Sequence, residues 1–589
     1  MTTASTRRNR KKKKRQSGGA ARARKAAEPA ISDRANQREI SERTWLIGAI
    51  SIMVVGGVLR LYDLQLVPLH HDEGVNGNFL VRLVRDGFYH YDPENYHGPT
   101  LYYFSAIIPW TVRFLSWIHL LDPSAQNKYG LTTFNIRLVP ALFGLATIWL
   151  VLLLRRQLGT IGALSGAALL AISPGAVYLS RYFIHESLFV FFTLAIVVAA
   201  LRYYEDGHPV FLILASASAA LLFATKETFI ITAPVLAIAL VSTHVYQWLR
   251  ESSSARRRNT VTDRLRHTVN RLGGPANLAM WSLIALVVFV AVSVLFYSSF
   301  FTNWPKGVYD SLRAFQVWTR TGQEAHKHDS WTYIKLWLMN QEAILLLLGI
   351  IGAAIVVWKP AKPFALFSAL WAFGIIVAYS KVPYKTPWLM LNFIVPLALI
   401  GGYAIEALYR DVRRDWRLPV AAVILVLCLA AGYQFESPGG SVPTKRRVQA
   451  ALIPGYQTID LNFFNYDNDD TYYVYVYAHT RRELLKLLDE IDQVARRSGL
   501  GVKMGITIVS PEYWPLPWYL RDYSAGYHGQ MTTSNEPVII AREDQGAPME
   551  ATFGSRYQQI NSGFNSAGSF ALRPGVDLLL YVRRDLPAR

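Results

Sequence analysis

One cysteine in 589 residues, Cys428, excludes an intrachain disulfide and leaves the redox compartment open. Charge is scarce as well: 17% of residues are charged, against 52% hydrophobic. A soluble domain can reach that apolar fraction, so what decides is where charge is missing. Segments 162–179, 188–201, 279–300 and 418–434 run with almost no charged residue. A hydrocarbon core about 30 Å thick asks for roughly 17–25 such residues per helix, and flanking aromatics extend the shorter runs.

Acids are the scarcer sign, which leaves a net charge of +20. Residues 1–43 carry 14 Lys/Arg and 4 Asp/Glu, and residues 250–272 carry 7 Arg and 2 acids. Most of the excess therefore sits in one tail and one loop, both bordering apolar runs. Neither segment interleaves aromatics as a base-stacking surface would, so no nucleic-acid partner is expected. Lys/Arg-rich connections are retained in the cytoplasm during insertion. Residues 1–43 read as a disordered cytoplasmic tail that can rest on anionic lipid. That tail is too long and too polar to resemble a cleaved signal peptide, so 45–61 is expected to remain as an anchor.

The run 101–121 decides the topology. If it spans, Arg155–Arg156 and the 250–272 loop fall outside. If it lies in the interface or re-enters, those segments, Arg202, Lys359/Lys362 and Arg410–Arg417 all fall inside, which satisfies the positive-inside rule throughout. The second assignment predicts a polytopic α-helical membrane protein with about eleven spans. They lie near 45–61, 137–154, 161–180, 187–202, 210–225, 229–248, 278–300, 342–358, 363–379, 388–409 and 418–434. The membrane domain then covers 44–435, with a long first exterior loop at 63–135. Residues 436–589 form a small extracytoplasmic α/β domain with strands expected at 472–477, 505–509, 538–541 and 578–582 and a helix at 481–497. Tyr513–Tyr519, rich in Pro and aromatics, suits a membrane surface, a carbohydrate site or a packed loop.

Unusual polar residues collect on the exterior side of this topology. His70-His71-Asp72-Glu73 follows the first span, and Tyr96-His97-Gly98-Pro99 lies further along the same loop. An acidic pair at a membrane helix mouth is costly unless paired or used. A carboxylate there can serve as general base for a hydroxyl; equally, Asp72 can cap the helix that follows. The turns Arg181–Glu186, Lys226-Glu227 and Lys381–Trp388 add Arg181, Lys226, Lys381 and Lys385. These cations suit a phosphate anion, or they snorkel at helix ends. His71, His185 and Glu186 are candidate ligands for a divalent metal, the one cofactor the sequence suggests, although their spacing matches no short metal motif. His326, Lys327, His328 and Asp329 fall in the exterior loop 301–340, long enough to cover a site.

These motifs are familiar in combination. Asp72-Glu73, the segment entering an aromatic helix at 96–103, Asn135 through Gly144, and Ser173-Pro174 through Glu186 occur in that order. The succession resembles the dolichyl-phosphate-mannose protein mannosyltransferase and aminoarabinose transferase group, which has the GT-C membrane glycosyltransferase fold. His71-Asp72-Glu73, Ala224-Thr225-Lys226-Glu227, Pro383 through Trp388 and Trp514 through Tyr519 look like a prokaryotic branch whose archaeal members are named flippase-activity-associated proteins of N-glycosylation. The resemblance covers roughly 45–435. It implies a polyprenyl-phosphate-linked sugar as donor, a glycan, lipid or protein acceptor, and inverting transfer outside the cytoplasm. It casts Asp72 as base, Glu73 beside it as orienting the acceptor or a metal, and His97, Arg181, Lys226, Lys381 and Lys385 as contacts of the donor phosphate. A lipid-linked-sugar flippase and a non-catalytic accessory subunit are the rival readings. Spans nearly free of charge at their centres argue against translocation.

Overall fold

The computed structural model describes residues 40–94, 97–121, 130–251, 261–324, 327–358, 362–411, 454–467, 473–563 and 568–586. The expected span at 418–434 and most of the tail lie outside them.

Helix α1 (Glu42–Leu61) starts where the Ser41 hydroxyl accepts the Thr44 N–H at 3.1 Å, a standard solution for an orphan first-turn donor. After α2 (His71–Arg85) and α3 (Thr100–Trp117) come the apolar helices α4 (Thr133–Leu152), α5 (Thr160–Ile172), α6 (Pro174–Ser180), α7 (Glu186–Asp206), α8 (Pro209–Phe223), α9 (Phe229–Arg250) and α10 (Gly274–Tyr297). Beyond these lie α11 (Lys306–Glu324), α12 (Ala343–Trp358), α13 (Pro363–Lys381) and α14 (Leu391–Asp411). Among the described residues seven helices are long and apolar enough to cross a membrane, or up to nine if each bent pair is one span; Pro209–Phe223 is a shorter apolar helix. These segments coincide with the other ten expected spans. α3, which carries Arg113, is not among them.

Two apolar helix pairs are bent for identifiable reasons. α5 and α6 meet at 60° at Ser173-Pro174, where proline supplies no N–H and the Ser173 hydroxyl caps α6 at Ala176. Residues Tyr333–Gln341 meet α12 at 110°, beside Glu342. Glu342 accepts from the Ser173 hydroxyl (2.7 Å) and the Gly175 N–H (3.0 Å), so one carboxylate holds both breaks.

The C-terminal unit is a six-stranded sheet, β1 (Gly505–Ile508), β2 (Ser524–Tyr527), β3 (Val538–Arg542), β4 (Tyr557–Ile560), β5 (Phe570–Arg573) and β6 (Val576–Arg583). Its order is β2-β1-β3-β6-β4, with β5 also on β6; β1 pairs parallel with β2 and β3, and β6 pairs antiparallel with β3, β4 and β5. Helix α15 (Glu483–Arg497) lays Leu484, Leu487 and Ile491 on one face against Ile506, Ile540 and Leu578. The expected strand at 472–477 is a correction: the described residues 473–477 form turns, and Tyr473, Tyr475 and Val476 bury their side chains in the helical core instead of pairing in the sheet. Tyr472 lies outside the described residues.

Candidate active site

The N-terminus of α2 separates the two acids of its first turn. The Glu73 carboxylate accepts the His70 N–H at 2.9 Å and closes a capping box, whereas the Asp72 N–H donates to His70 Nδ1 at 3.2 Å. Neighbours on a helix point about 100° apart. Glu73 therefore turns inward and is fully buried, while the Asp72 side chain stays 42% exposed, with His70 Nδ1 at 3.9 Å.

Asp72 faces a cavity of 340 Å³. His71, Glu94, His97, His185, Glu186, Lys226, Glu227 and Trp388 share its walls, and α11 contributes Trp318. Two chain segments are laced together to form one side. Gly98 N–H donates to Thr225 O (3.0 Å), Thr100 N–H to Ala224 O (3.3 Å), and the Thr100 hydroxyl to that of Thr225 (2.8 Å). A Cβ on Gly98 would stand 2.0 Å from Ala224 O, so the approach requires glycine. This lacing sets His97 Nδ1 3.0 Å from Glu227 Oε2.

Charges in the cavity are paired in a definite way. The Lys226 ammonium donates to Glu186 at 2.5 Å. Burial opposes its charge, but Glu186 and then Glu227 outweigh that and hold it above the usual lysine range. His185 bonds the Gly98 carbonyl through Nε2 at 3.0 Å, and burial pushes its pKa down. Burial likewise pushes His71 down to about 4, with Asp72 opposing. Arg573 of β5 approaches His71 Nδ1 at 3.4 Å, so the C-terminal sheet reaches the cavity rim.

Residues 129–255 match the family model of dolichyl-phosphate-mannose-protein mannosyltransferase. In structure the chain is similar to ArnT from Cupriavidus metallidurans bound to undecaprenyl phosphate, with TM-score 0.56 and 14% identity over 92% of this chain and 98% of that one. The fold is that of a GT-C membrane glycosyltransferase. ArnT in the apo state aligns with TM-score 0.53 and 15% identity, over 91% and 98% of the two chains. The archaeal oligosaccharyltransferase AglB from Archaeoglobus fulgidus, in complex with an inhibitory peptide and a dolichol phosphate, aligns with TM-score 0.47 and 13% identity, over 85% and 70%. No curated protein sequence matches the chain.

Within this GT-C fold, Asp72, His71, His97, His185, Glu186 and Lys226 come together around one cavity. Four other expected site residues do not line it. Glu73 is consumed by Arg137 and the Phe183 N–H. Arg181 donates to the carbonyls of Leu59, Tyr62 and Asp63, because the end of α1 leaves acceptors without intrahelical donors. Lys385 donates to the carbonyls of Val382 (2.5 Å) and Ser380 (3.2 Å), closing its own turn. Lys381 is exposed. Two residues with no expected role matter: Glu227 backs His97, and Arg137 neutralises Glu73.

The expected metal set does not assemble. His185 is committed to Gly98 and Glu186 to Lys226, and among the described residues no group of three His, Cys, Asp or Glu side chains is placed to hold an ion. The loop 301–340 bridges Lys327 to Tyr384 and sets the His328 N–H on Pro383 O (3.1 Å), beside the cavity residues Tyr384 and Trp388; His326 lies outside the described residues.

Proposed function

We propose that the protein transfers a sugar from a polyprenyl-phosphate donor to a hydroxyl acceptor, with inversion, on the extracytoplasmic side of the membrane. The observation that carries this is Asp72: of two adjacent acids, it alone is accessible, in a cavity shared with His97 and Lys226. The GT-C fold and the likeness to a protein bound to undecaprenyl phosphate support the donor class.

The step balances without a metal. The acceptor oxygen attacks the anomeric carbon opposite the phosphate, and the bond from that carbon to the phosphate oxygen breaks. The electron pair leaves on the polyprenyl phosphate, and the acceptor proton moves to Asp72 as bond formation acidifies it. Negative charge grows on the departing phosphate, where His97, backed by Glu227, and Lys226 would stabilise it. Trp318 and Trp388 add aromatic surface to the walls, against which a sugar ring can pack.

Sidedness follows from charge: the basic tail and the loop after α9 would face the cytoplasm, which puts the mouth of α2 and the sheet outside. The test is mass analysis of lipid-linked sugars and glycans from cells carrying the wild type, Asp72→Asn or no gene. A polyprenyl-phosphate sugar should accumulate equally in the last two, with loss of its glycan product. Unchanged profiles in both would overturn the reading.

A further inference from the structure

A second cavity lies at the other end of the bundle. It runs between α1 and α4, has a volume of 620 Å³, and is walled by Trp45, Ala49, Met53, Leu145, Trp149 and Leu152. Its open side is apolar as well, with Leu46 and Val54 each 57% exposed. The shape has a local cause. Gly56 carries no side chain, so Ile148 packs onto it and the helices close at that level. Trp45 and Trp149 line the cavity on the side towards the start of α1 and the end of α4.

Three cations close the wide end, Arg155, Arg156 and Arg202. The Arg155 guanidinium lies over the Trp45 ring at 4.6 Å and pairs with Glu42 at 2.7 Å through both terminal nitrogens. Arg156 and Arg202 share one acid, Glu205, at 3.9 and 3.8 Å. Those separations are long for ion pairs, and the Arg156 side chain is 69% exposed. Lys362 and Arg271 also reach this end, on the carbonyls of Arg156 and Glu205. Positive charge therefore exceeds negative at the head of an apolar groove.

Arg137 in the second turn of α4 serves the Asp72 side, and Arg155 follows the last turn. Some 18 residues at 1.5 Å rise separate them, about 27 Å, so the groove is on the opposite face from the active site. From Trp45 to Val54 the groove is about 14 Å long, half the roughly 30 Å hydrocarbon thickness. It fits an acyl chain of one leaflet with an anionic headgroup at the arginines. A polyprenyl tail would overrun it.

We propose that this groove is a binding site for an anionic glycerophospholipid of the leaflet opposite the active site. The arginines take the phosphate by charge-assisted hydrogen bonds, and the α1–α4 cleft takes a chain. The site is independent of the sugar-transfer reading and survives its failure.

The test uses the full-length protein in detergent, with native mass spectrometry after addition of phosphatidylglycerol, phosphatidylcholine or undecaprenyl phosphate. Phosphatidylglycerol should be retained about tenfold over phosphatidylcholine. The triple variant Arg155→Gln, Arg156→Gln, Arg202→Gln should lose that preference, and Ala49→Trp, which keeps the arginines but fills the cleft, should lose the lipid. Both variants should match the wild type in helical circular dichroism. If either misfolds, Arg156→Gln with Arg202→Gln alone decides, by the same loss of preference. Equal retention of the two phospholipids, or variants that bind like the wild type, overturns the proposal. Undecaprenyl phosphate displacing phosphatidylglycerol from the wild type, and itself failing to bind Ala49→Trp, overturns the choice of ligand.

Discussion

Arg137 of α4 grips Glu73 of α2 with two nitrogens, Nε to Oε1 at 2.7 Å and Nη2 to Oε2 at 2.6 Å, and spends Nη1 on the carbonyls of Leu64 and Val67 at 2.8 Å each. Glu73 Oε1 also receives the Phe183 N–H at 2.7 Å. The pair thus locks the loop before α2, the N-terminus of α2 and the turn before α7 into one piece.

Removing one partner of such a buried pair strands the other charge, at a cost of about 3–5 kcal/mol. Glu73→Gln is expected to lower the thermal unfolding midpoint sharply and to reduce the yield of folded protein. Asp72→Asn, at the exposed neighbouring position, should change stability by about 1 kcal/mol or less while abolishing transfer. Thermal unfolding of the two variants in detergent checks the contrast. A stable, inactive Glu73→Gln protein would contradict it.

Glu227 is expected to act through His97. The Glu227 carboxylate accepts at Nδ1, which turns Nε2 outward and supports the doubly protonated ring that can donate to a phosphate; glutamine lacks the charge and can present a donor there instead. Glu227→Gln should weaken undecaprenyl phosphate binding roughly tenfold, the loss of one hydrogen bond to a charged group. Lys385→Met, whose ammonium closes its own turn, should bind as the wild type does. Thermophoresis with labelled protein measures both, and equal binding by Glu227→Gln and wild type would dismiss the role.

Gly98→Ala tests the lacing itself. The new methyl would meet a backbone carbonyl, which cannot swing aside as a side chain can. The His97–Glu227 contact should open, so that Gly98→Ala and Glu227→Gln lose affinity to a similar extent and the double variant loses little more. Additive losses would show that the two act separately.

Acid sensitivity follows from three histidines. Burial lowers the pKa of His185 and His479 below the usual value of about 6.5 and brings His71 to about 4. The unfolded chain then binds protons that the folded chain refuses, so stability is full above about pH 6.5 and falls as pH drops towards 4. The unfolding midpoint should decline between pH 7 and pH 5, and His479→Gln should flatten the slope. A midpoint constant over that range would rule the histidines out.

The helical architecture was legible because hydrocarbon thickness and charge placement act on long stretches of chain, which is why ten expected spans reappear as helices. The α/β character of the C-terminal unit was legible from alternation, except at 473–477, where Tyr473 and Tyr475 alternate yet turn into the bundle. Side-chain roles were harder. An Arg or Lys at a helix end reads the same whether it meets a ligand or a neighbour's carbonyls, so Arg181 and Lys385 were indistinguishable from Lys226. Adjacent Asp72 and Glu73 did carry a usable signal, since helical geometry lets only one of them face a given cavity. Glu227 sat next to a noted lysine, but its partner His97 is 130 positions away and only the folded chain joins them.

The segment Tyr513–Tyr519 is wedged against α2: Trp518 is buried beside Gly77, Pro515 sits over Gly74, and the Tyr519 hydroxyl receives the Leu69 N–H at 2.9 Å. The sheet thereby acts as the far jaw of a vice on the helix that carries the proposed base. Shortening the chain after α14 would strip that helix of its backing. The two halves should accordingly be expressed and lost together, and a loosened sheet would lower the transfer proposed at Asp72.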